Sequence, residues 1–255
     1  MNKAAISIVI PCYNEENNLK RGVLNEIKDF LDTCDFTWEV IICNDASTDD
    51  SLNIITGFSK SNPGFSVLNL PHGGKPSAVW GGIQKAKHPN VLFTDMDQST
   101  PLKEVTKLIT YLPEYDIVIG SRGIIREGNS IIRKIGGPLF LSFRRLILLP
   151  NITDTQCGFK MLKTAVAREI FPHLEYFSDK SAKSGWRVSS FDVELLFMAQ
   201  KWGYKIKEVN VDWRNEDTSI TKGDSNDRYK KESIQMLKEI IRVKTNDLKG
   251  KYVSS

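Results

Sequence analysis

Short apolar runs alternate with longer amphipathic segments through the first half of the chain. The apolar runs are rich in β-branched and aromatic residues, which predicts strands over residues 5–10, 38–44, 65–70, 91–95 and 116–120. The segments between them repeat apolar residues every three or four positions, which predicts helices over residues 15–31, 49–59, 77–87 and 102–112. This alternation is typical of βαβ units, so we expect an α/β fold on a parallel sheet.

The pattern is less regular after residue 120. It predicts a strand within GFKML, helices over residues 165–171 and 191–202, a strand over 205–211 and a last amphipathic helix over 227–243. No internal repeat and no clear linker interrupts this order. We therefore expect residues 1–255 to form one continuous domain.

Composition narrows the class of protein. With 40% hydrophobic and 26% charged residues among 255, the chain can bury a core. No stretch approaches the roughly 18 apolar residues that a spanning helix needs. Its four cysteines and three histidines show no disulfide or metal-ligand spacing, so a reducing cytoplasm is the expected setting.

A proline and several polar side chains follow the first four predicted strands. The carboxyl ends of parallel strands meet at one edge of a sheet, where ligands bind. The residues are Pro11, Tyr13, Asn14 and Glu15 after the first strand, Asp45 after the second, Lys75 after the third, and Asp95 and Asp97 at the fourth. Neither GxGxxG nor GxxxxGK[ST] occurs, which counts against NAD enzymes and P-loop NTPases.

Asp95 and Asp97 are separated by one residue at the end of an apolar strand. In an extended chain, residues two apart point the same way, so both carboxylates could face one hard cation, Mg²⁺ or Mn²⁺. Such a cation would neutralise charge on a diphosphate leaving group. The alternative is a pair of solvated loop carboxylates.

Several sequence blocks, in this order and spacing, resemble glycosyltransferase family 2: SIVIPCYNEE, EVIICNDASTDDS, HGGKPSAVWGGI, VLFTDMDQSTP and IVIGSR. Two later blocks, DTQCGFKML and FDVELLFMAQKWGYKIKEVNVDW, are similar to the polyprenyl-phosphate sugar synthases, above all the dolichyl-phosphate β-glucosyltransferases. The resemblance implies a GT-A fold with a single Rossmann-like sheet. It also implies inverting transfer of a hexose, glucose from UDP-glucose, to the phosphate of an isoprenoid lipid.

The same resemblance implies roles for the polar residues. Pro11, Tyr13, Asn14 and Glu15 would line the nucleoside pocket, Asp45 would hydrogen-bond the base, and Lys75 and Met96 would lie beside the nucleotide sugar. Asp95 and Asp97 would hold the metal. Arg122 and Arg133 would bind the acceptor phosphate, since a planar guanidinium fits phosphate oxygens. Asp192 would position the acceptor or act as a base, or it would only stabilise a helix N-terminus. Residues 1–120 would then form the nucleotide-sugar-binding half, 121–220 the acceptor half and 221–255 a basic helix and tail.

A phosphate acceptor is already largely dianionic at neutral pH, so it needs positive charge more than a catalytic base. Residues 122–145 contain six arginines and lysines and one glutamate, a net charge of +5. The overall charge of +4 lies entirely in residues 222–255, which hold nine basic and five acidic residues. A cytoplasmic protein that touches the inner, anionic face of a membrane fits this distribution.

Other functions stay open at this stage. A soluble family 2 enzyme could glycosylate a sugar hydroxyl on a glycan or protein, with Asp192 as base. A non-catalytic nucleotide-sugar-binding domain is disfavoured by the intact pair Asp95 and Asp97. Nucleic-acid binding is not expected, because no DNA- or RNA-reading motif accompanies the mild positive charge.

Overall fold

A computed structural model describes residues 3–123, 148–178, 191–214 and 225–253, with side chains from residue 234 onward in the last range. Its sheet has seven strands in the order β3-β2-β1-β4-β6-β5-β7. The strands are β1 Ala5–Cys12, β2 Thr37–Asp45, β3 Phe65–Leu70, β4 Asn90–Phe93, β5 Ile117–Ser121, β6 Lys160–Lys163 and β7 Ile206–Asn210. The α/β class expected from the sequence is confirmed.

Helices cover both faces of the sheet. They are α1 Glu16–Lys20, α2 Val23–Asp32, α3 Ser51–Ser61, α4 Lys75–Lys85, α5 Val105–Ile109, α6 Thr164–Ile170, α7 Glu175–Ser178, α8 Phe191–Lys201 and α9 Ser225–Leu248. Short 3₁₀ turns at Leu102–Glu104 and Phe171–His173 precede α5 and follow α6.

The strands of the first half of the chain run parallel, as expected, but β6 from the second half runs against them. β1 pairs in parallel with β2 and β4, but β6 runs antiparallel between β4 and β5. The GFKML run thus enters the middle of the sheet from the second half of the chain. β7, also from the second half, pairs in parallel with β5.

Three predicted elements have different limits in the structure. The helix expected over residues 15–31 is divided into α1 and α2 by Gly22, whose φ of 93° is open to glycine but strained for other residues. The fourth strand ends at Phe93 rather than residue 95. The last helix extends to Leu248, beyond the predicted residue 243.

Two apolar cores lie on opposite faces of the sheet, which explains why the central strands are apolar at consecutive positions. Ile8 of β1 packs with α2 and α3 on one face, and Val9 packs with α4, α6 and α8 on the other. The inner face of α9 joins the second core through Met236, Ile240 and Val243. No helix among the described residues is long and apolar enough to cross a membrane.

Candidate active site

The loops after β1 and β2 are joined by hydrogen bonds at the carboxyl edge of the sheet. Oδ1 of Asn14 accepts the backbone N–H of Thr48 at 2.8 Å, and the N–H of Asn14 donates to Oγ of Ser47 at 3.1 Å. The N–H of Glu15 donates to Oγ of Ser51 at 2.8 Å. These bonds hold the YNE segment on the loop before α3, with Asn14 at a φ of 54°.

Asp45 fixes the glycine-rich loop after β3. Its two carboxylate oxygens accept the backbone N–H groups of Gly73 and Gly74 at 2.7 and 2.8 Å, and Nδ1 of His72 lies 3.0 Å from Oδ2. The Asp45 side chain is only 3% exposed. Its bonds therefore orient the loop that leads into Lys75, while the role predicted for it toward a nucleotide base stays a prediction.

An aromatic surface lies beside this loop. The rings of Tyr13 and His72 have centroids 4.6 Å apart, and Tyr13 is 46% exposed. Pro11, two residues before Tyr13, is the seventh residue of β1 and is partly buried. The predicted nucleoside-lining residues thus lie together at the carboxyl edge of the sheet, and their contacts with a nucleoside stay a prediction.

The Asp95-Met96-Asp97 segment is a turn, so the extended geometry expected for it is wrong. Gln98 has a φ of 51° and its side chain donates to the carbonyl of Asp95 at 2.7 Å, which curls the chain back after β4. Oδ1 of Asp97 accepts the N–H of Ser99 at 2.9 Å. Met96 is buried with 1% exposure, so this side chain anchors the turn in the core.

Lys75 is the first residue of α4 and contacts the acidic turn directly. Its Nζ lies 2.5 Å from Oδ1 of Asp95. Burial lowers the pKa of the Lys75 ammonium, but Asp95, Asp192 and Asp97 together raise it above its ordinary value. The helix begins at Lys75, and Pro76 follows in its first turn, where the fixed φ of proline is compatible with a helix.

Gly158 packs against the carboxylate of Asp95. A methyl carbon placed on Gly158 would lie 1.9 Å from Oδ2 of Asp95, far inside contact distance. A side chain at this position would push the Asp95 carboxylate away, so glycine lets the loop before β6 approach the acidic turn without displacing it. The second half of the chain thus forms a wall of the site at Asp95.

Lys160 and Asp192 form a buried ion pair behind that wall. Nζ of Lys160 lies 3.0 Å from Oδ1 of Asp192, with the two side chains 0% and 5% exposed. The ammonium also donates to the carbonyl of Cys157 at 2.5 Å and lies 5.6 Å from the ring centre of Phe93. Asp192, in the first turn of α8, is therefore held by a charged partner as well as by its helix position.

Glu15 is a protonation-sensitive member of the site. Burial, followed by the charges of Asp97, Asp95 and Asp49, raises its pKa from 4.5 to about 7, against the hydrogen bond that Asn18 donates to it. Burial alone disfavours the charged carboxylate, and the neighbouring carboxylates add to that effect. Glu15 therefore changes its protonation state near neutral pH.

Arg122 lies at the end of β5 and is engaged by Asp154. Its Nε and Nη2 donate to the two oxygens of Asp154 at 2.7 and 2.8 Å, and its backbone N–H donates to Oδ2 at 3.0 Å. The guanidinium carbon lies 5.8 Å from the ring centre of Trp213. Burial lowers the pKa of Arg122 and Asp154 raises it, for a net increase. A guanidinium has five N–H donors, so this fork leaves donors for a further anion.

The two predicted acceptor arginines are not equally placed. Arg122 is described and fixed by Asp154, whereas Arg133 lies outside the described residues. Acceptor-phosphate binding stays a prediction for both.

A divalent cation fits Asp95 and Asp97 by the chemistry of the donor set. Both are carboxylates on one short turn, and the Asp95 side chain is 42% exposed. In the described part of the chain no group of three or more His, Cys, Asp or Glu side chains is arranged to hold a metal. A cation held here would therefore take further oxygen ligands from substrate or water, as Mg²⁺ does beside phosphates.

The motif spacing did not single out Gly158, Lys160 or Arg21. Arg21, the residue after α1, donates to the carbonyl of Asp97 at 2.7 Å and stabilises the acidic turn. One signal for Lys160 was available: a lysine within the apolar run GFKML needs a buried acidic partner. The contact of Gly158 depends on tertiary structure, so no local signal indicates it.

Comparison with known proteins places this site in a family. The model of glycosyl transferase family 2 matches residues 7–171. The chain is 31% identical to dolichyl-phosphate beta-glucosyltransferase of Dictyostelium discoideum, covering 96% of this chain and 75% of that protein. It is 33% identical to dolichyl-phosphate beta-glucosyltransferase of Drosophila melanogaster, covering 84% of this chain and 68% of that protein.

A solved structure shares the fold. Glucosyl-3-phosphoglycerate synthase of Mycobacterium tuberculosis, crystallised with Mn²⁺, UDP and glucosyl-3-phosphoglycerate, superposes with a TM-score of 0.62 at 18% identity, covering 94% of this chain and 80% of that one. The predicted GT-A fold is thereby confirmed. With the family model matching well over half of its residues, the chain belongs to glycosyltransferase family 2 and is a nucleotide-sugar glycosyltransferase.

Proposed function

We propose that the enzyme transfers glucose from UDP-glucose to a dolichyl or polyprenyl phosphate, with inversion at the anomeric carbon. The observation that carries this proposal is the similarity, over 96% of the chain, to a protein named for that activity. UDP-glucose is an α-glucoside, and the relatives are named for a β-glucosyl product. A single displacement at the anomeric carbon inverts its configuration and so converts the α-linked donor into a β-linked product.

The chemistry is a direct exchange of bonds at the sugar. An oxygen of the lipid phosphate forms a bond to the anomeric carbon as the bond to the UDP oxygen breaks, and the electron pair leaves with UDP. Asp95 and Asp97 would hold Mg²⁺ or Mn²⁺, which supplies charge neutralisation for the departing diphosphate. Lys75, 2.5 Å from Asp95, is close enough to add its own positive charge at the same place.

The environment of Asp192 favours a phosphate acceptor over a sugar hydroxyl. A hydroxyl acceptor needs a base that takes up its proton. Asp192 is 4% exposed and held 3.0 Å from the ammonium of Lys160, so this carboxylate is poorly placed to receive one. A phosphate needs no such base, and Arg122 offers it a positive charge whose orientation is set by Asp154.

The test uses purified protein, labelled UDP-glucose, Mn²⁺ or Mg²⁺, and dolichyl phosphate in detergent. We expect label in the organic extract, loss of transfer on addition of a chelator, and a loss of at least about a thousandfold for Asp97→Ala, since a charge-neutralising group contributes several kcal/mol to the barrier. Asp35→Ala is the matched control, because Asp35 is fully exposed in the turn that precedes β2, at the opposite edge of the sheet.

Label recovered only on a water-soluble glycan would contradict the lipid acceptor. Equal transfer by Asp97→Ala and the parent enzyme would remove the metal role of the acidic turn. Arg122→Ala should reduce lipid transfer more than hydrolysis of the donor, and equal losses in both would count against an acceptor role for Arg122.

A further inference from the structure

The outer surface of α9 carries an apolar stripe. Of the six exposed large hydrophobic side chains in the described part of the chain, five lie at or beyond residue 234. Four of these belong to α9: Ile234, Leu237, Ile241 and Leu248, with 56%, 38%, 52% and 78% exposure. Their spacings of three, four and seven residues place them on one face of the helix.

This stripe is a different face of α9 from the one that holds the helix to the protein. Met236, Ile240 and Val243 are buried in the core. Arg242 also reaches across to Glu194 of α8, at 3.1 Å. The helix is thus apolar on two faces, and packing within the described structure accounts for only one of them. An ordinary surface helix has a single apolar face.

Lysines border the stripe on both sides. With 3.6 residues per turn, Lys238 and Lys249 lie along one edge of the stripe and Lys244 along the other. Lys238 and Lys249 are exposed, and Lys244 is partly exposed with Asp247 3.0 Å away. A lysine can keep its ammonium at the level of lipid headgroups while its stem lies along apolar surface.

The charges on this face argue against a second copy of the chain as its cover. Among the described side chains of α9, Glu239 is buried and the other acid, Asp247, is paired with Lys201 and Lys244. Two such faces pressed together would bring Lys238 and Lys249 close to the same lysines of the second copy, while the described acids of the helix are already buried or paired. An anionic bilayer offers both an apolar layer for the stripe and phosphates for its edges.

We propose that α9 is an interfacial helix that binds the enzyme to an anionic membrane surface through Ile234, Leu237, Ile241 and Leu248. This inference rests on the proposed function, because binding to a membrane serves an enzyme whose acceptor is a lipid. α9 packs on α8, whose first turn carries Asp192. The membrane-binding surface and the candidate active site therefore share one rigid support.

The experiment is sedimentation of the full chain with phosphatidylcholine vesicles, with and without phosphatidylserine, in the absence of donor and metal. We expect binding to the anionic vesicles. The double variant Ile241→Ser with Leu248→Ser should lower the partition coefficient by about a hundredfold, since each buried aliphatic side chain contributes about a factor of ten. The variant Ile241→Leu with Leu248→Ile keeps the apolar stripe and should bind like the parent protein.

The electrostatic part is separated by charge variants. Lys238→Gln and Lys249→Gln should each weaken binding about fivefold at low salt, and this loss should disappear at high salt. Lys85→Gln is the matched control, because Lys85 is an exposed lysine on α4. It should bind as the parent protein does.

Three results would overturn the inference: no binding of the parent chain to anionic vesicles, equal binding by the double serine variant, or a dimer of the parent chain that the serine variant dissociates. Transfer to dolichyl phosphate in detergent, where no bilayer is present, should be equal for the parent and the serine variant. That assay tests the proposed function alone, so failure of the lipid acceptor and failure of the membrane surface are distinguishable.

Discussion

Replacing Lys160 by methionine should destabilise the protein strongly, because it leaves the carboxylate of Asp192 buried without its partner. The ion pair spans 3.0 Å between side chains that are 0% and 5% exposed. At an effective dielectric constant of about 20, charges at this distance attract by about 5 kcal/mol. Breaking a buried pair from one side costs about 3–5 kcal/mol. We therefore expect Lys160→Met to lower the free energy of unfolding by that amount.

The measurement is a double-mutant cycle by urea denaturation. Lys160→Met with Asp192→Leu removes both charges and replaces them by apolar groups, so most of the lost stability should return. The variant Asp192→Leu alone should be as harmful as Lys160→Met, since it leaves an ammonium buried without its carboxylate.

The pair formed by Lys163 and Asp116 is the matched control. Lys163 lies on β6 like Lys160, and its Nζ is 2.8 Å from Oδ1 of Asp116, just before β5. The side chains of this pair are 43% and 23% exposed. Solvent screens such a pair, so Lys163→Met should cost less than about 1 kcal/mol. If Lys160→Met costs no more than Lys163→Met, or if the double variant recovers nothing, the two charges are not coupled as the geometry indicates.

Two further changes test the acidic turn. Gly158→Ala should displace the carboxylate of Asp95 and weaken Mn²⁺ binding, measured by calorimetry with UDP present. Gly57→Ala, at a helical position with open space, should leave Mn²⁺ binding unchanged. Unaltered Mn²⁺ affinity in Gly158→Ala would contradict the contact. Glu15 has its pKa raised to about 7, so between pH 4.5 and 7 the folded state holds a proton that the unfolded chain releases. Stability of the metal-free protein should then fall as pH increases through that window, by at most about 3 kcal/mol, and Glu15→Gln should flatten the slope; equal slopes in chelator-treated samples would refute it.

The sequence pattern predicts those strands and helices whose signal lies within their own residues. The apolar runs of β1 to β3 and the three- and four-residue repeats of α3 and α8 predict those elements within a few residues. The turn chemistry was harder to anticipate. Gly22 divides a continuous amphipathic pattern because its positive φ starts a new helix, and periodicity alone does not reveal that break.

The position of β6 could not be read from the sequence. A run such as GFKML indicates a strand but not which neighbours it pairs with or in which direction. Its insertion between β4 and β5 is a tertiary event, and it moves β5 away from β4. The contacts of Gly158 and Lys160 follow from that insertion. The sequence therefore predicts Arg122, Arg133 and Asp192 from the second half by resemblance, but not the close approach of Gly158 or the ion pair of Lys160.

The charges gathered at the acidic turn bear on how a diphosphate could bind there. Asp95, Asp97 and Asp192 contribute three negative charges, before Glu15 is counted. Lys75, Lys160 and Arg21, which donates to the carbonyl of Asp97, contribute three positive ones. Lys160 is paired with Asp192, and Lys75 is paired with Asp95. These charges balance, so the turn has no surplus positive charge of its own for a diphosphate. A cation held by Asp95 and Asp97 would supply that surplus and would free the ammonium of Lys75 for the leaving group. The pKa of Glu15 is raised mainly by burial and further by the carboxylates of Asp97 and Asp95, so a cation held at the acidic turn should lower it.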